Sequence, residues 1–136
     1  MDSYPVIVTE QVRDCRDFYS RWFGFDVGFE ASWFVLLARS GDPPCTLAFM
    51  DVEHPSSPPS PASFRGDGMF LTFQVEDARA EHDRLVDAGL EPELALTDEP
   101  WGQRRFAVVD PAGTWVDVVE QIEPAAGWWD PYLEPG

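Results

Sequence analysis

Basic residues are scarce in this chain. Lys and Arg together number nine among 136 residues, against 25 Asp and Glu, so the net charge is −16 and the pI about 4.1. Contacts to nucleic-acid phosphates and to anionic membrane surfaces need Lys and Arg, so this balance argues against both kinds of partner. An acidic surface favours cationic or neutral ligands, or it simply keeps an aromatic-rich protein in solution.

Cysteine and long apolar runs are scarce as well. Cys15 and Cys45 have neither CxxC spacing nor the density of a disulfide framework, so we expect reduced, small apolar side chains. The amino terminus has an acidic residue where a signal peptide has basic ones, and no apolar stretch approaches the roughly 18 residues of a membrane span. We therefore expect a cytoplasmic protein with no membrane segment.

Histidine is limited to two residues, His54 and His82. His54 lies in a Pro- and Ser-rich stretch and His82 on the apolar side of a predicted helix, so surface and packing roles fit them better than ligand roles. The spacings contain no Ser-His-Asp or Cys-His arrangement and no Gly-rich phosphate loop.

The clearest local signal is a β-hairpin within residues 103–120. Two apolar runs, 106–109 and 115–119, flank the turn sequence Asp-Pro-Ala-Gly at 110–113, in which Pro presets φ and Gly tolerates φ > 0. In the second run, alternation places aliphatic residues on one face of the sheet and Trp115 with Asp117 on the other. A face that combines an indole with a carboxylate is typical of a binding surface.

The rest of the chain repeats one pattern. A short strand, an amphipathic helix ending at Gly24 and three strands are predicted in the first half, and the same order recurs with a helix ending at Gly89. We predict an α+β fold of two tandem βαβββ modules in a single domain, with module one at 3–50, a Pro/Ser-rich linker at 51–67, module two at 68–121 and an aromatic tail at 122–136. The linker either only connects the modules or lies over a pocket as a lid.

These residues resemble the vicinal oxygen chelate superfamily, which includes glyoxalase I, extradiol dioxygenases, fosfomycin-resistance enzymes and bleomycin-resistance binding proteins. The resemblance rests on Phe18-Tyr19 followed by Phe23-Gly24-Phe25, on Ala88-Gly89-Leu90, and on the Asp-Pro-Ala-Gly turn before an alternating strand. It implies that each module curls into a half-open cup of mixed sheet, and that a homodimer places the cups at the subunit interface.

The superfamily's enzymes hold a divalent metal at four matched strand positions. In this chain those positions fall on Tyr4, on Thr46 or Leu47, on Phe70 and on Asp117. Only Asp117 is a possible ligand, and one carboxylate does not hold such an ion well. The resemblance therefore implies no metal and no cofactor, and it brings the chain nearest in character to the metal-free bleomycin-resistance type.

Aromatic residues take the place of metal ligands, since rings favour stacking on planar ligands and cations. An ionised Asp117 in an apolar cup needs a partner, which is either Arg104 or Arg105 or a polar group of the ligand. The predicted ligand-binding residues are Tyr4, Trp33, Leu47, Phe49, Phe70, Thr72, Trp101, Phe106, Trp115 and Asp117.

These features favour a binding protein that sequesters an aromatic or cationic small molecule, as in antibiotic resistance or self-resistance, with no catalytic residue. The alternative is a lyase or dioxygenase of the same superfamily with a non-standard site, working through a metal or through acid-base chemistry at Asp117. A third possibility is a related protein with an unrelated housekeeping ligand.

Overall fold

A computed structural model describes residues 1–56 and 64–134 of the chain. Ten elements follow in the order βαβββ twice, so the predicted duplication is confirmed. The first set is β1 (Val6–Thr9), α1 (Val12–Phe23), β2 (Asp26–Ala31), β3 (Phe34–Arg39) and β4 (Cys45–Asp51). The second set is β5 (Leu71–Gln74), α2 (Ala78–Asp87), β6 (Leu94–Glu99), β7 (Gln103–Val109) and β8 (Trp115–Gln121).

Each set of strands forms one four-stranded mixed sheet. The orders are β1-β4-β3-β2 and β5-β8-β7-β6, and in both sheets the first and last strands of the set pair in parallel while the other pairs are antiparallel. The predicted α+β class is therefore confirmed. The two compact units of the chain are Met1–Met69 with Asp110–Thr114, and Phe70–Val109 with Trp115–Gly136.

The helix ends follow the sequence signals. Gly24 caps α1 in the left-handed region with φ of 70°, and its amide donates to the Tyr19 carbonyl. At the start of α2 the Asp77 side chain accepts a hydrogen bond from the Ala80 amide at 3.0 Å. Neither helix in the described ranges has the length and apolarity needed to span a bilayer.

The strand boundaries differ most from prediction at β6. The sequence predicts a strand at 91–96, whereas the structure extends β6 to Glu99. The polar residues after Leu96 pair with β7. Asp98 lies opposite Arg104 and forms an ion pair with it, and Glu99 forms one with Arg105, so charge pairing supports a strand that hydrophobic alternation does not reveal.

The first unit is built around Tyr19. Its ring is fully buried and lies 5.4 Å from the Phe49 ring in a stacked arrangement and 5.8 Å from Phe25 at a steep angle. Its hydroxyl donates to Asp110 Oδ2 at 2.6 Å. Asp110 Oδ1 also accepts from the amides of Ala112 and Thr114, so this buried carboxylate organises the turn between β7 and β8.

The Asp110 carboxylate perturbs two neighbouring groups. Burial raises the pKa of Tyr19, and the negative charge of Asp110 and the hydrogen bond to it raise this pKa further. Burial and the same charge also raise the pKa of the Cys15 thiol, which is fully buried and reduced. Both groups are therefore neutral in the folded protein at physiological pH.

The linker and the tail were predicted as segments without regular structure. The central part of the linker, 57–63, lies outside the described residues, and so does the prediction that the linker covers a pocket. After the end of β8 the tail is irregular at 122–125 and forms turns at 126–132.

Candidate functional site

Each sheet has a face that its helix covers, here called the helix face, and an opposite face, here called the far face. In the first sheet, Phe49 contacts Tyr19 of α1, and Leu47 lies two residues before it on the same face. In the second sheet, Phe106 contacts His82 of α2 with ring centroids 5.3 Å apart. These contacts define which side of each strand faces a helix.

Three predicted ligand-binding residues lie on helix faces. Leu47 is 3% exposed, and Phe49 and Phe106 are fully buried. Their side chains fill the core beneath α1 and α2, so the site proposed below does not include them. The same placement decides the open choice in β4: Thr46, not Leu47, lies on the far face.

Two further predicted residues lie in the first unit, away from the helix. Tyr4 precedes β1 and is 48% exposed. Trp33 lies between β2 and β3, and its ring stacks on His54 with a centroid distance of 3.6 Å and an interplanar angle of 8°. His54 thus has a packing role with Trp33, as His82 has with Phe106.

The other five predicted residues belong to the far face of the second sheet and its adjoining turn. Thr72 pairs with Asp117 across β5 and β8, so their side chains share one face. Phe70 lies two residues before Thr72 and is 57% exposed, and Trp115 lies two residues before Asp117. Trp101 lies in the turn between β6 and β7, and its ring contacts the guanidinium of Arg105, which belongs to this face.

Asp117 is the centre of this face. It is 3% exposed and accepts hydrogen bonds on both oxygens, from Trp115 Nε1 to Oδ1 at 2.5 Å and from Arg105 Nη1 to Oδ2 at 3.0 Å. Burying a carboxylate without partners is costly, so these two donors allow the charge to remain inside the protein. The partner that the sequence left open is Arg105.

Arg105 has a second carboxylate partner and an aromatic neighbour. Its Nε and Nη2 lie 2.9 and 2.8 Å from Glu99 Oε2, and its guanidinium carbon lies 5.3 Å from the centroid of the Trp101 ring. Burial lowers the pKa of Arg105, but the hydrogen bonds to Glu99 and Asp117 outweigh this effect and leave the pKa above its usual value. We call Glu99, Trp101, Arg105, Trp115 and Asp117 the Asp117 cluster.

Arg104 lies on the other side of the same strand. It donates to both oxygens of Asp98, at 2.7 and 3.0 Å, and lies 3.7 Å from Glu120 Oε2. Adjacent arginines therefore have separate partners, because successive side chains of a strand point to opposite faces. The hairpin register indicates which arginine is the partner. It pairs Val109 with Trp115 and hence Arg105 with Val119, so Arg105 lies on the same face as Trp115 and Asp117.

The residues at the superfamily's metal positions do not fit a divalent ion. In the first unit they are Tyr4 and Thr46, and in the second Phe70 and Asp117, whose two oxygens already accept from Arg105 and Trp115. Among residues 1–56 and 64–134, no group of three or more His, Cys, Asp and Glu side chains is arranged to hold a metal ion. The phenol and hydroxyl of the first unit, and the phenyl ring and engaged carboxylate of the second, are each a poor set of donors for such an ion.

An aromatic group from the tail also reaches this site, and the sequence did not place it there. Trp128 lies 5.8 Å from the Trp101 ring, and Trp129 Nε1 donates to the Trp101 carbonyl at 2.7 Å. The sequence identifies the tail at 122–136 as aromatic, but no local pattern identifies Trp101 as its contact.

Comparison with known proteins agrees with this architecture. The model of the Glyoxalase/Bleomycin resistance protein/Dioxygenase superfamily matches residues 3–118. A glyoxalase/bleomycin resistance protein/dioxygenase from Nocardioides has a similar structure, with a TM-score of 0.72, 19% identity, and coverage of 100% of this chain and 87% of the other. A lactoylglutathione lyase from Agrobacterium tumefaciens is also similar, with a TM-score of 0.69, 19% identity, and coverage of 88% of this chain and 92% of the other.

A virulence protein from Salmonella typhimurium is also similar, with a TM-score of 0.72, 13% identity, and coverage of 90% of this chain and 97% of the other. No match was found among curated protein sequences. At these identities the structural likenesses support the fold and leave the ligand open. Together with the family match over residues 3–118, the repeated βαβββ order shows that the chain belongs to the glyoxalase/bleomycin resistance/dioxygenase superfamily.

Proposed function

We propose that this chain is a metal-free binding protein that captures a planar, cationic small molecule on the far face of its second sheet, as in antibiotic resistance or self-resistance by drug binding. The observation that carries the proposal is the Asp117 cluster, in which a buried carboxylate is held in place beside aromatic side chains. Phe70, which is 57% exposed, adds a ring on the same face.

The charges of the cluster favour a cation. Arg105 is the cluster's one basic residue, and it is shared between Glu99 and Asp117, so two carboxylates outweigh one guanidinium. The whole chain carries a net charge of −16, so its electric field also attracts cations. Screening by salt limits this attraction to about 10 Å. An anionic ligand would meet a face whose positive charge is already neutralised.

The hydrogen bonds of Asp117 favour binding over acid-base catalysis. A general base needs a free oxygen within reach of the proton that it removes. Both oxygens of Asp117 accept from protein donors, one at 2.5 Å and one at 3.0 Å. In this arrangement the carboxylate orients Arg105 and Trp115, and the rings of the face contact the ligand.

The test uses three tricyclic probes that differ in charge: proflavine, a cation; acridone, which is neutral; and anthracene-9-carboxylate, an anion. We expect tryptophan quenching and calorimetry to show saturable binding of proflavine at one site per chain, weaker binding of acridone, and none of the anion. Tight binding of the anion, or equal affinity for all three, would contradict the charge argument.

Variants locate the site. Trp115→Ala and Phe70→Ala are each expected to weaken proflavine binding by about 1 to 3 kcal/mol. Phe70→Ala should leave melting behaviour unchanged, whereas Trp115→Ala also removes the Nε1 donor to buried Asp117 and should lower the melting temperature. Val86→Ala is the control, because Val86 is an apolar side chain that is 42% exposed but lies on α2 and not on the sheet. An effect of Val86→Ala equal to that of Phe70→Ala would place the ligand elsewhere.

Metal analysis addresses the enzymatic alternative. Protein purified without a metal-affinity tag would be offered manganese, iron, nickel and zinc in turn, and each product analysed for bound metal. Near-zero stoichiometry for all four supports the binding role. One tightly bound ion per chain would contradict it and would direct attention to lyase and dioxygenase assays.

We also propose that the protein is a homodimer. The far face of the first sheet is apolar, and two of its side chains are well exposed, Val6 at 40% and Phe29 at 57%. Exposed apolar sheet faces are typical of interaction surfaces. Light scattering during size-exclusion chromatography is expected to give twice the chain mass, and Phe29→Asp to reduce it; a monomeric wild type would refute this proposal.

A further inference from the structure

The tail is attached by its main chain to the turn between β6 and β7. The Ile122 amide donates to the Gly102 carbonyl at 2.9 Å, and the Ala125 amide donates to the Pro100 carbonyl at 2.8 Å. Gly102 has φ of 112°, and a Cβ there would lie 3.0 Å from the Ile122 carbonyl oxygen. Position 102 therefore requires glycine. The close approach of Ile122 to Gly102 fixes the tail beside Trp101, the residue before Gly102.

Trp128 is the centre of the aromatic contacts that this attachment creates. Its ring centroid lies 5.8 Å from that of Trp101, 4.9 Å from that of Trp129 and 5.1 Å from that of Tyr132. Trp129 Nε1 donates to the Trp101 carbonyl at 2.7 Å. Trp101 is thus held at its ring by Trp128 and at its main chain by Trp129.

Trp101 in turn borders Arg105. The guanidinium carbon lies 5.3 Å from the ring centroid, within the distance of about 6 Å at which a cation is attracted to an aromatic face. Trp101 Nε1 donates to Gln103 at 2.8 Å, which restricts the rotation of the indole. Packed contacts therefore run from Trp128 through Trp101 and Arg105 to Asp117.

We propose that Trp128 is a positioning residue for the Asp117 cluster: it holds Trp101 against Arg105, and so fixes the Arg105–Asp117 hydrogen bond on which ligand affinity depends. The effect on affinity rests on the proposed function. The effect on the cluster does not, because it concerns contacts within the free protein. Trp128 itself is not proposed to contact the ligand.

Nuclear magnetic resonance of the full 15N-labelled chain tests the positioning directly. The reporters are the Nη1–H group of Arg105 and the Nε1–H group of the Trp115 indole, which both donate to Asp117, assigned with Arg105→Met and Trp115→Phe. We expect Trp128→Ala to shift both resonances and to speed their hydrogen exchange by about threefold or more, as loss of one cation–aromatic contact allows. Trp128→Phe keeps a ring at the position and is expected to restore most of the wild-type behaviour.

Trp22→Ala is the matched control. It removes an indole from α1, where the Arg21 guanidinium lies 4.3 Å from the ring, and it is expected to leave both reporters unchanged. Unchanged reporters in a folded Trp128→Ala would overturn the proposal. If Trp128→Ala does not fold, Trp128→Leu keeps an apolar side chain but removes the aromatic contact with Trp101, and unchanged reporters in that variant would overturn the proposal equally.

Proflavine titration adds the functional measurement. We expect Trp128→Ala to raise the dissociation constant about three- to tenfold and Trp128→Phe to raise it by less than twofold. A wild type that binds none of the probes refutes the proposed function, while the magnetic resonance result still decides the positioning role. An unchanged dissociation constant together with shifted reporters would restrict the role of Trp128 to the free protein and overturn its link to affinity.

Discussion

The two sheets have the same strand order but carry different chemistry on their far faces. In the first sheet that face is apolar and includes Val6 and Phe29. In the second it contains the Asp117 cluster, with a buried carboxylate, an arginine and two indoles. The helix faces of both sheets are alike, since each packs apolar side chains under one helix. A repeated architecture therefore leaves one face of each module free to take on a different role.

The largest expected effect separates the two faces of the second sheet. Phe106→Ala removes a fully buried ring packed on His82 and is expected to destabilise the protein by about 3 to 5 kcal/mol. Phe70→Ala removes a ring that is 57% exposed on the far face, so the free energy of unfolding should change by less than about 0.5 kcal/mol. Urea denaturation of both variants measures the difference.

Similar losses for Phe106→Ala and Phe70→Ala would mean that the far face is packed as tightly as the core. Such a result would contradict its assignment as a binding surface.

The next effect distinguishes the adjacent arginines. Arg105→Met leaves the Asp117 charge, on a side chain 5% exposed, with only the Trp115 donor, and is expected to cost about 1 to 3 kcal/mol after allowance for the partial exposure of Arg105. Arg104→Met breaks contacts to the exposed Asp98 and should change stability little.

Adding Asp117→Asn to Arg105→Met should recover part of the loss, because the uncompensated charge is then removed. Chemical denaturation of the single and double variants gives the coupling between the two residues. Strict additivity would show that the pair is not coupled.

Alkaline pH is expected to weaken the first unit through two buried groups, the Tyr19 hydroxyl and the Cys15 thiol. The folded-state pKa values of Tyr19 and Cys15 are raised, so their contribution to stability is fully present below their ordinary values of about 10 and 8.5 and is lost as pH rises above them. Tyr19→Phe also loses a hydrogen bond to a carboxylate, worth about 1.5 to 3 kcal/mol near neutral pH.

Unfolding free energies at pH 7, 9, 10 and 11 measure the slope. The fall above pH 9 should be shallower in Tyr19→Phe than in the wild type, and shallower again in a Tyr19→Phe, Cys15→Ala double variant. Identical slopes in all three proteins would refute the assignment.

The smallest effect compares the equivalent glycines after the two helices. Gly24 has φ of 70°, a conformation that a non-glycine residue adopts at a cost of about 1 to 2 kcal/mol, whereas Gly89 has φ of 103°, where the cost is greater. Gly24→Asn should be tolerated best, because Asn is enriched in the left-handed region. Thermal melting is expected to rank the variants Gly24→Asn, Gly24→Ala, Gly89→Ala from mildest to most severe, and a reversed order would contradict this backbone argument.

Much of the fold was predictable because its signals are local. The alternation of Val116 and Val118 with Trp115 and Asp117 placed the indole and the carboxylate on one face, and Gly24 and Gly89 marked the helix ends. The sequence did not separate Leu47, Phe49 and Phe106 from the far-face residues, because an apolar side chain on a strand suits a ligand cup and a helix-covered core equally well. Only the contact with Tyr19 or His82 distinguishes the two.

The sequence by itself determined the two modules, their strands and helices, and the residues that share each face, because hydrophobic period and turn chemistry act over a few neighbouring residues. Only the tertiary structure decided that Arg105 rather than Arg104 pairs with Asp117, and that Trp128 packs on Trp101. These contacts depend on the register of a hairpin and on where the tail lies. The register and the position of the tail both depend on packing between residues that are distant in the chain, and no local sequence pattern predicts that packing.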